Sequence, residues 1–148
     1  MIELMVGLSI LAILLSIAVP SFSSFTASQR VRAASTDLRT DLMLARSEAL
    51  KRNRSVTIRR RLATGWQSGW VVVVDDSGQE LRTRNDLGNG VAVTIGTNAI
   101  TFNASGRVAA PAGAVQIELT SSAGSANAER CLILDPAGMP RAYAESCS

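Results

Sequence analysis

The chain contains no histidine. Zinc sites built on imidazole, Ser–His and Cys–His nucleophile pairs, and a side chain that changes charge near neutral pH are therefore all excluded. Neither an HExxH nor a Gly-x-Ser-x-Gly stretch occurs. Cysteine is scarce: Cys131 and Cys147 stand alone, without the CxxC spacing of a metal or redox motif. Aromatic residues make up only 4% of the chain, and for Trp66 and Trp70, which lie beside glycines at a strand entry, core or rim packing is favoured over a stacking platform for bases or a ligand. Lysine is nearly missing as well, since fourteen of the fifteen basic residues are Arg. Arginine favours forked hydrogen bonding to carboxylate or phosphate over a merely solvated surface. The net charge of +3 is too small by itself to announce nucleic acid or anionic lipid. Among carboxylates, only Asp75 and Asp76 adjoin, and they sit in an Asp-Asp-Ser-Gly turn where adjacent side chains point apart. Turn chemistry accounts for them better than acid–base catalysis, and calcium would need more oxygen ligands than the local sequence supplies. The expectation is a protein without catalytic activity, metal or cofactor.

What the chain does have is a long apolar run. Met1 to Val19 is almost unbroken, its one charge being Glu3. A spanning helix needs about 20 apolar residues, so the run is just long enough to sit in a bilayer. It is not an ordinary cleaved signal, because no basic residue precedes Arg30. Nor is it an ordinary anchor, because a carboxylate at the edge of hydrocarbon is costly unless a positive group pairs with it. Glu3 needs a partner.

Met1-Ile2-Glu3-Leu4-Met5-Val6, with apolar positions continuing to Val19-Pro20-Ser21-Phe22, closely resembles the N-terminus of type IV pilins and the related pseudopilins. The resemblance implies that Glu3 pairs, on assembly, with the N-terminal ammonium of a neighbouring subunit in a helical fibre. In that family a prepilin peptidase cuts after a Gly and leaves an N-terminal Phe that becomes methylated. The leader, its Gly and the Phe-Thr pair do not stand in this sequence, so the resemblance places the family's start upstream of Met1.

Pro20 lacks an N–H and clashes with the preceding turn, which predicts a kink there. From Ser28 the helix resumes. Val31, Ala34, Leu38, Leu42, Ala45 and Ala49 recur at spacings of three and four, with Arg30, Arg32, Asp37, Arg39 and Arg46 around them. The stretch from Leu44 to Arg52 is similar to the helix end of the GspH/FimT branch of pseudopilins and minor pilins. We therefore expect residues 1–27 to form the membrane-spanning and fibre-core half of one helix, and residues 28–148 a periplasmic domain. Within it, the second half of the helix runs over 28–52 and a β-domain over 53–148.

Beyond the helix the period becomes two. Val56, Ile58 and Leu62 alternate with Thr57, Arg59 and Arg61, a half-buried strand. Gly65-Trp66-Gln67-Ser68-Gly69 reads as punctuation, and Trp70 to Val74 as a strand that turns at Asp75–Gly78 and returns through Gln79 to Arg84. Gly88-Asn89-Gly90 marks another turn, followed by strands at Val91–Ile95, at Ala99–Phe102 paired with Arg107–Ala109, at Val115–Thr120 and at Arg130–Leu134. Ser121 to Ala128 is a small, polar loop. Seven or so short strands after one long helix give an α+β architecture, the helix packed on antiparallel sheet. Trp66 and Trp70 read as packing residues that hold the first sheet to the helix. The Gly-Trp and Ile-Thr-Phe-Asn-Ala-Ser-Gly-Arg patterns resemble the same branch, so the likeness spans most of the chain.

Cys131 and Cys147 form a disulfide if the domain lies outside the cytoplasm, and are buried thiols if it does not. Lys51, Arg52, Arg54, Arg59, Arg60 and Arg61 place six positive charges in eleven residues. Three readings stand: helix-end and strand-edge charges in solvent, salt bridges between subunits, or DNA binding. Strand alternation puts Arg60 opposite Arg59 and Arg61, so the three cannot form one stripe. The DNA-uptake members of the branch carry a Gly-Arg-x-Arg motif near the C-terminus, where this chain has Gly138-Met139-Pro140-Arg141. One arginine matches, and Arg141 with Arg107 and Arg130 is the candidate patch. The family likeness thus implies a structural subunit, minor pilin or pseudopilin, single-pass in the inner membrane and at the cell surface when assembled in a pilus. Its partners would be other pilin or pseudopilin subunits, the inner membrane and the prepilin peptidase. The alternative is a minor pilin that binds DNA for uptake.

Overall fold

The computed structural model describes residues 2–88, 90–121 and 128–147, apart from the side chains at 15, 17–21, 23 and 24. Among the described residues one helix, α1, runs from Ile2 to Arg52, 51 residues or about 77 Å at 1.5 Å each. Its two halves live in different surroundings. The large apolar side chains described before Ala27 are exposed, from Ile2 at 76% to Phe25 at 59%. From Ala27 onward the stripe Val31, Ala34, Leu38, Leu42, Ala45 and Ala49 is buried, as the three-and-four spacing predicts. The helix stops at Asn53, whose positive φ allows Arg54 N–H to donate to the Ala49 carbonyl (3.2 Å), a left-handed cap. Lys51 and Arg52 lie in the last turn, where the helix dipole favours cations.

Nine strands follow among the described residues: β1 (Val56–Leu62), β2 (Gly65–Val74), β3 (Glu80–Thr83), β4 (Val91–Ile95), β5 (Ala99–Phe102), β6 (Val108–Ala110), β7 (Val115–Ser121), β8 (Arg130–Leu134) and β9 (Pro140–Tyr143). They form two antiparallel sheets, ordered β3-β2-β1-β5-β6 and β4-β7-β8-β9. Alternation sends Val56, Ile58, Trp70, Val72, Ile100 and Phe102 inward from the first sheet, and Ile117, Leu119, Leu132 and Leu134 from the second. With Leu38 and Leu42 of the helix they make one core. The architecture is α+β, a helix packed on antiparallel sheets.

Three strand expectations need correction. Gly65 to Gly69 does not punctuate but opens the ten-residue β2. Gly69, at φ +94°, is there because a Cβ would lie 2.1 Å from the Arg84 carbonyl oxygen, so the glycine marks close backbone approach, not a break. Leu62 does not face the core. A register shift between Arg60 and Leu62 ends the alternation and leaves Leu62 53% exposed. A ninth strand, β9, has no apolar alternation to announce it. It forms because the turn at Asp135–Gly138 brings the chain back beside β8, with Gly138 N–H on the Asp135 carbonyl and Met139 N–H on Asp135 Oδ1.

At Pro20, where a kink was expected, α1 continues as one helical segment, the Pro20 side chain not being among those described; the centre of the turn at Asn89 and most of the polar loop, residues 122–127, lie outside the described residues. Among the described residues no helix is long and apolar enough to cross a membrane; the run to Val19 includes positions 15 and 17–19, whose side chains are not among them.

Candidate functional site

Glu3 stands in the first turn of α1, where a carboxylate suits the positive end of the helix dipole. It is exposed, and among the described residues it has no hydrogen-bond or ion-pair partner. Ile2, Leu4, Met5, Val6, Leu8, Ile10, Leu11, Ile13 and Leu14 are all more than half exposed around it. At about 25 cal/mol per Å² of apolar surface, such a face is stable only when something covers it. Glu3 and this face are one site: an apolar rod with one carboxylate near its end.

The rod is tied to the domain by a residue that the apolar pattern conceals. Asp41 falls between Leu38 and Leu42 on the buried stripe and has no exposed surface. Its Oδ2 accepts from Trp70 Nε1 at 2.9 Å and from Arg84 Nε at 3.1 Å. Arg82 stands 3.3 Å from Oδ1, which receives no hydrogen bond in good geometry. Arg84 also reaches Asp37 at 3.1 Å. A buried carboxylate held by two guanidiniums and an indole N–H fixes where β2 and β3 sit along the helix. Trp70 thus joins sheet to helix as expected, whereas Trp66 donates to the Thr97 carbonyl (2.8 Å) between β4 and β5 instead. Nothing local in the sequence signals this network: Asp41 only interrupts an apolar stripe, and Arg82 in β3 and Arg84 just beyond it meet it through tertiary packing alone.

At the top of the helix Glu48 binds Arg52 at 2.6 Å and Lys51 at 3.7 Å. The Arg52 guanidinium is the main reason that the Glu48 carboxyl is held below its ordinary value, against the opposing effect of burial. Arg52 also donates to Gln79 Oε1 at 2.7 Å, and Arg54 pairs with Asp76. The Asp75-Asp76 turn thereby serves to fasten the β2–β3 connection to the helix end, and no metal-holding group of acids occurs among the described residues.

The candidate arginines do not converge. Arg141 pairs in register with Ile133, whereas Arg130 shares the face of Leu132 and Leu134, so alternation places them on opposite faces of the second sheet. Arg107 stands exposed in the turn that Asn103 caps, accepting from the N–H groups of Ser105 and Arg107. Met139, where the uptake motif has arginine, lays its sulfur against the Arg46 guanidinium. Arg59, Arg60 and Arg61 were expected to be divided between two faces. The ladder bears this out for Arg59 and Arg60, which pair with Val71 and with the core-facing Trp70, on opposite faces of β1; at the end of the hairpin all three arginines nonetheless border a recess of about 440 Å³, with Val71, Glu80 and Thr83. Cys131 and Cys147 are joined in a disulfide, Cα–Cα 5.1 Å, that fastens the C-terminal segment to β8.

Residues 34–138 match the family model described as type II transport protein GspH. No curated protein matches the chain. Among solved structures, the type IV minor pilin FimU of Pseudomonas aeruginosa is similar in two crystal forms. The first has a TM-score of 0.71 and 22% identity over 84% of this chain and 97% of that one. The second has a TM-score of 0.67 and 22% identity, covering 79% and 97%. At that identity the likeness speaks for the fold, a long helix on antiparallel sheets.

Proposed function

The chain belongs to the GspH family, and on that premise we propose that it is a structural subunit, a minor pilin or pseudopilin, that is built into a type IV pilus or a type II secretion pseudopilus. The observation that carries this reading is the exposed apolar half of α1 with an unpartnered Glu3. A helix in water does not keep such a face bare, and a carboxylate there calls for a cation from outside the described chain. Before assembly the face is covered by the inner membrane, with residues 1–27 spanning it and the domain in the periplasm. After assembly it is covered by the equivalent helices of other subunits, and Glu3 meets an N-terminal ammonium that prepilin peptidase has exposed. No catalytic role is part of the proposal.

Replacing Glu3 with Ala tests it. The β-domain should keep its fold, read by circular dichroism of the full chain in detergent, while the variant should fall out of fibres sheared from cells, read by immunoblot. Fibres that carry Glu3→Ala at the wild-type level would overturn the pairing role. DNA capture for uptake remains the runner-up. It would draw on Arg59 and Arg61 at one site and on Arg141, Arg107 and Arg130 elsewhere, a division that weakens a single phosphate-tracking surface.

A further inference from the structure

The β1–β2 hairpin ends in a tip of unusual composition. Arg59, Arg60 and Arg61 border a common recess, and Leu62 beside them is 53% exposed. Arg61 donates to Asn85 Oδ1 at 2.9 Å. Among the described residues Arg59 and Arg60 have no side-chain hydrogen-bond or ion-pair partner, although Glu80 lines the same recess. Three arginines and one carboxylate border the recess, and two of the arginines are unpaired, so the tip is short of negative charge. A leucine turned outward next to them leaves it short of apolar contact. Nothing in folding asks for either, since a polar residue at 62 would suit an exposed strand end.

The direction of the hairpin is set by contacts at its other end. Arg52 holds Gln79 and Arg54 holds Asp76, so the far end of β2 sits beside the C-terminus of α1. Midway along β2, Trp70 reaches Asp41, eleven positions back on the helix, about 16 Å. The remaining residues of β2 continue the same way, and ten strand residues span at most about 33 Å. The tip therefore points toward the N-terminal half of the helix, the half whose apolar side chains are exposed. Between Glu3 and Arg30 the sequence carries no charge, a length of about 40 Å, which matches a bilayer from headgroup to headgroup. Arg32, exposed, follows at the same level.

We propose that this tip is a second membrane contact: Arg59, Arg60 and Arg61 bind the phosphates of anionic phospholipid headgroups while Leu62 enters the boundary between headgroup and acyl chain. The inference rests on the reading of residues 1–27 as a membrane anchor, and deepens it. An anchor alone leaves the helix free to tilt in the bilayer and to carry the domain with it. A docked tip would hold it upright beside the bilayer, and release on entry into a fibre would free the same arginines. Arginine suits the task because its fork takes two phosphate oxygens, and leucine with flanking cations is the composition of an interfacial element.

The test uses the full chain reconstituted into nanodiscs of phosphatidylcholine, with and without phosphatidylglycerol, and reads hydrogen exchange of the 58–66 segment. Docking predicts slower exchange at the tip with phosphatidylglycerol, by about fivefold for each arginine that reaches the headgroups. The protection should vanish in high salt and in Arg59→Glu/Arg60→Glu, weaken in Leu62→Ser, and persist in Arg59→Lys/Arg60→Lys. A chain that enters both nanodiscs yet exchanges identically at the tip overturns the docking and leaves the anchor standing. A chain that enters neither overturns the anchor and the docking with it. Tip protection by duplex DNA but not by anionic lipid overturns the proposal in favour of nucleic acid.

Discussion

Asp41 offers the sharpest test of what joins the helix to the sheets. Replacing it with Ala removes the acceptor of Trp70 Nε1, whose side chain is fully buried, and the carboxylate that Arg82 and Arg84 share. Breaking a buried charge pair by deleting one partner costs about 3–5 kcal/mol. Here the lower end applies. Arg82 is 43% and Arg84 32% exposed, so both guanidiniums keep access to water, and Arg84 retains Asp37. The stranded indole N–H alone costs about 1–3 kcal/mol, which brings Asp41→Ala to roughly 3 kcal/mol in all. Asp41→Asn keeps an acceptor of the same size and loses only the charge, for an expected loss of roughly 1 kcal/mol. Urea unfolding of the full chain in detergent, followed by tryptophan fluorescence, measures both variants. Trp70→Phe in each background isolates the coupling between the two side chains. If Asp41→Ala unfolds within about 0.5 kcal/mol of the unsubstituted chain, the carboxylate does not hold the helix. If Asn costs as much as Ala, charge accounts for the whole effect and the indole bond for none of it.

Gly69→Ala forces a Cβ against the Arg84 carbonyl oxygen at a positive φ, and should cost roughly 2 kcal/mol or more in the same unfolding assay, whereas Gly78→Ala, with open space around it, should cost less. Reducing the Cys131–Cys147 bond, whose partners are 16 positions apart, should lower stability by about 3 kcal/mol, read as a shift in midpoint with and without reductant; an unshifted midpoint would show the C-terminal strap to be idle. Glu48 is held below the ordinary carboxylate value of 4.5 in the folded chain, so its contribution is present above that pH and lost as pH falls through the folded value. Glu48→Gln should therefore be less stable than the parent at neutral pH, and the two acid-unfolding curves should approach each other below about pH 4.5, the ordinary carboxylate value.

How much of this was legible beforehand follows from what kind of signal each feature leaves. The helix face from Val31 to Ala49 and the inward faces of β4, β7 and β8 are periodic, and periodicity is a local property that any window of sequence displays. Glu3 was equally legible, because one charge in an apolar run is conspicuous without knowledge of its neighbours. Asp41 was not: a carboxylate on a stripe looks like a flaw until Arg82 and Arg84, more than forty positions away, are folded onto it. Leu62 was misread for a related reason, since alternation assumes an unbroken ladder and the register shift that breaks it arises from pairing with β2.

By itself, then, the sequence determined one long helix with an apolar, singly charged first half, a period-two domain behind it, and the absence of residues for the usual nucleophilic and zinc chemistries. Only the tertiary structure decided that β9 pairs beside β8, that Arg130 and Arg141 part company, and that Leu62 turns outward beside the three arginines that precede it. The physical reason is reach. Backbone conformation and face are set by neighbours within a turn or two of chain, while charge pairing, register and exposure are set by groups that meet only after distant segments have packed.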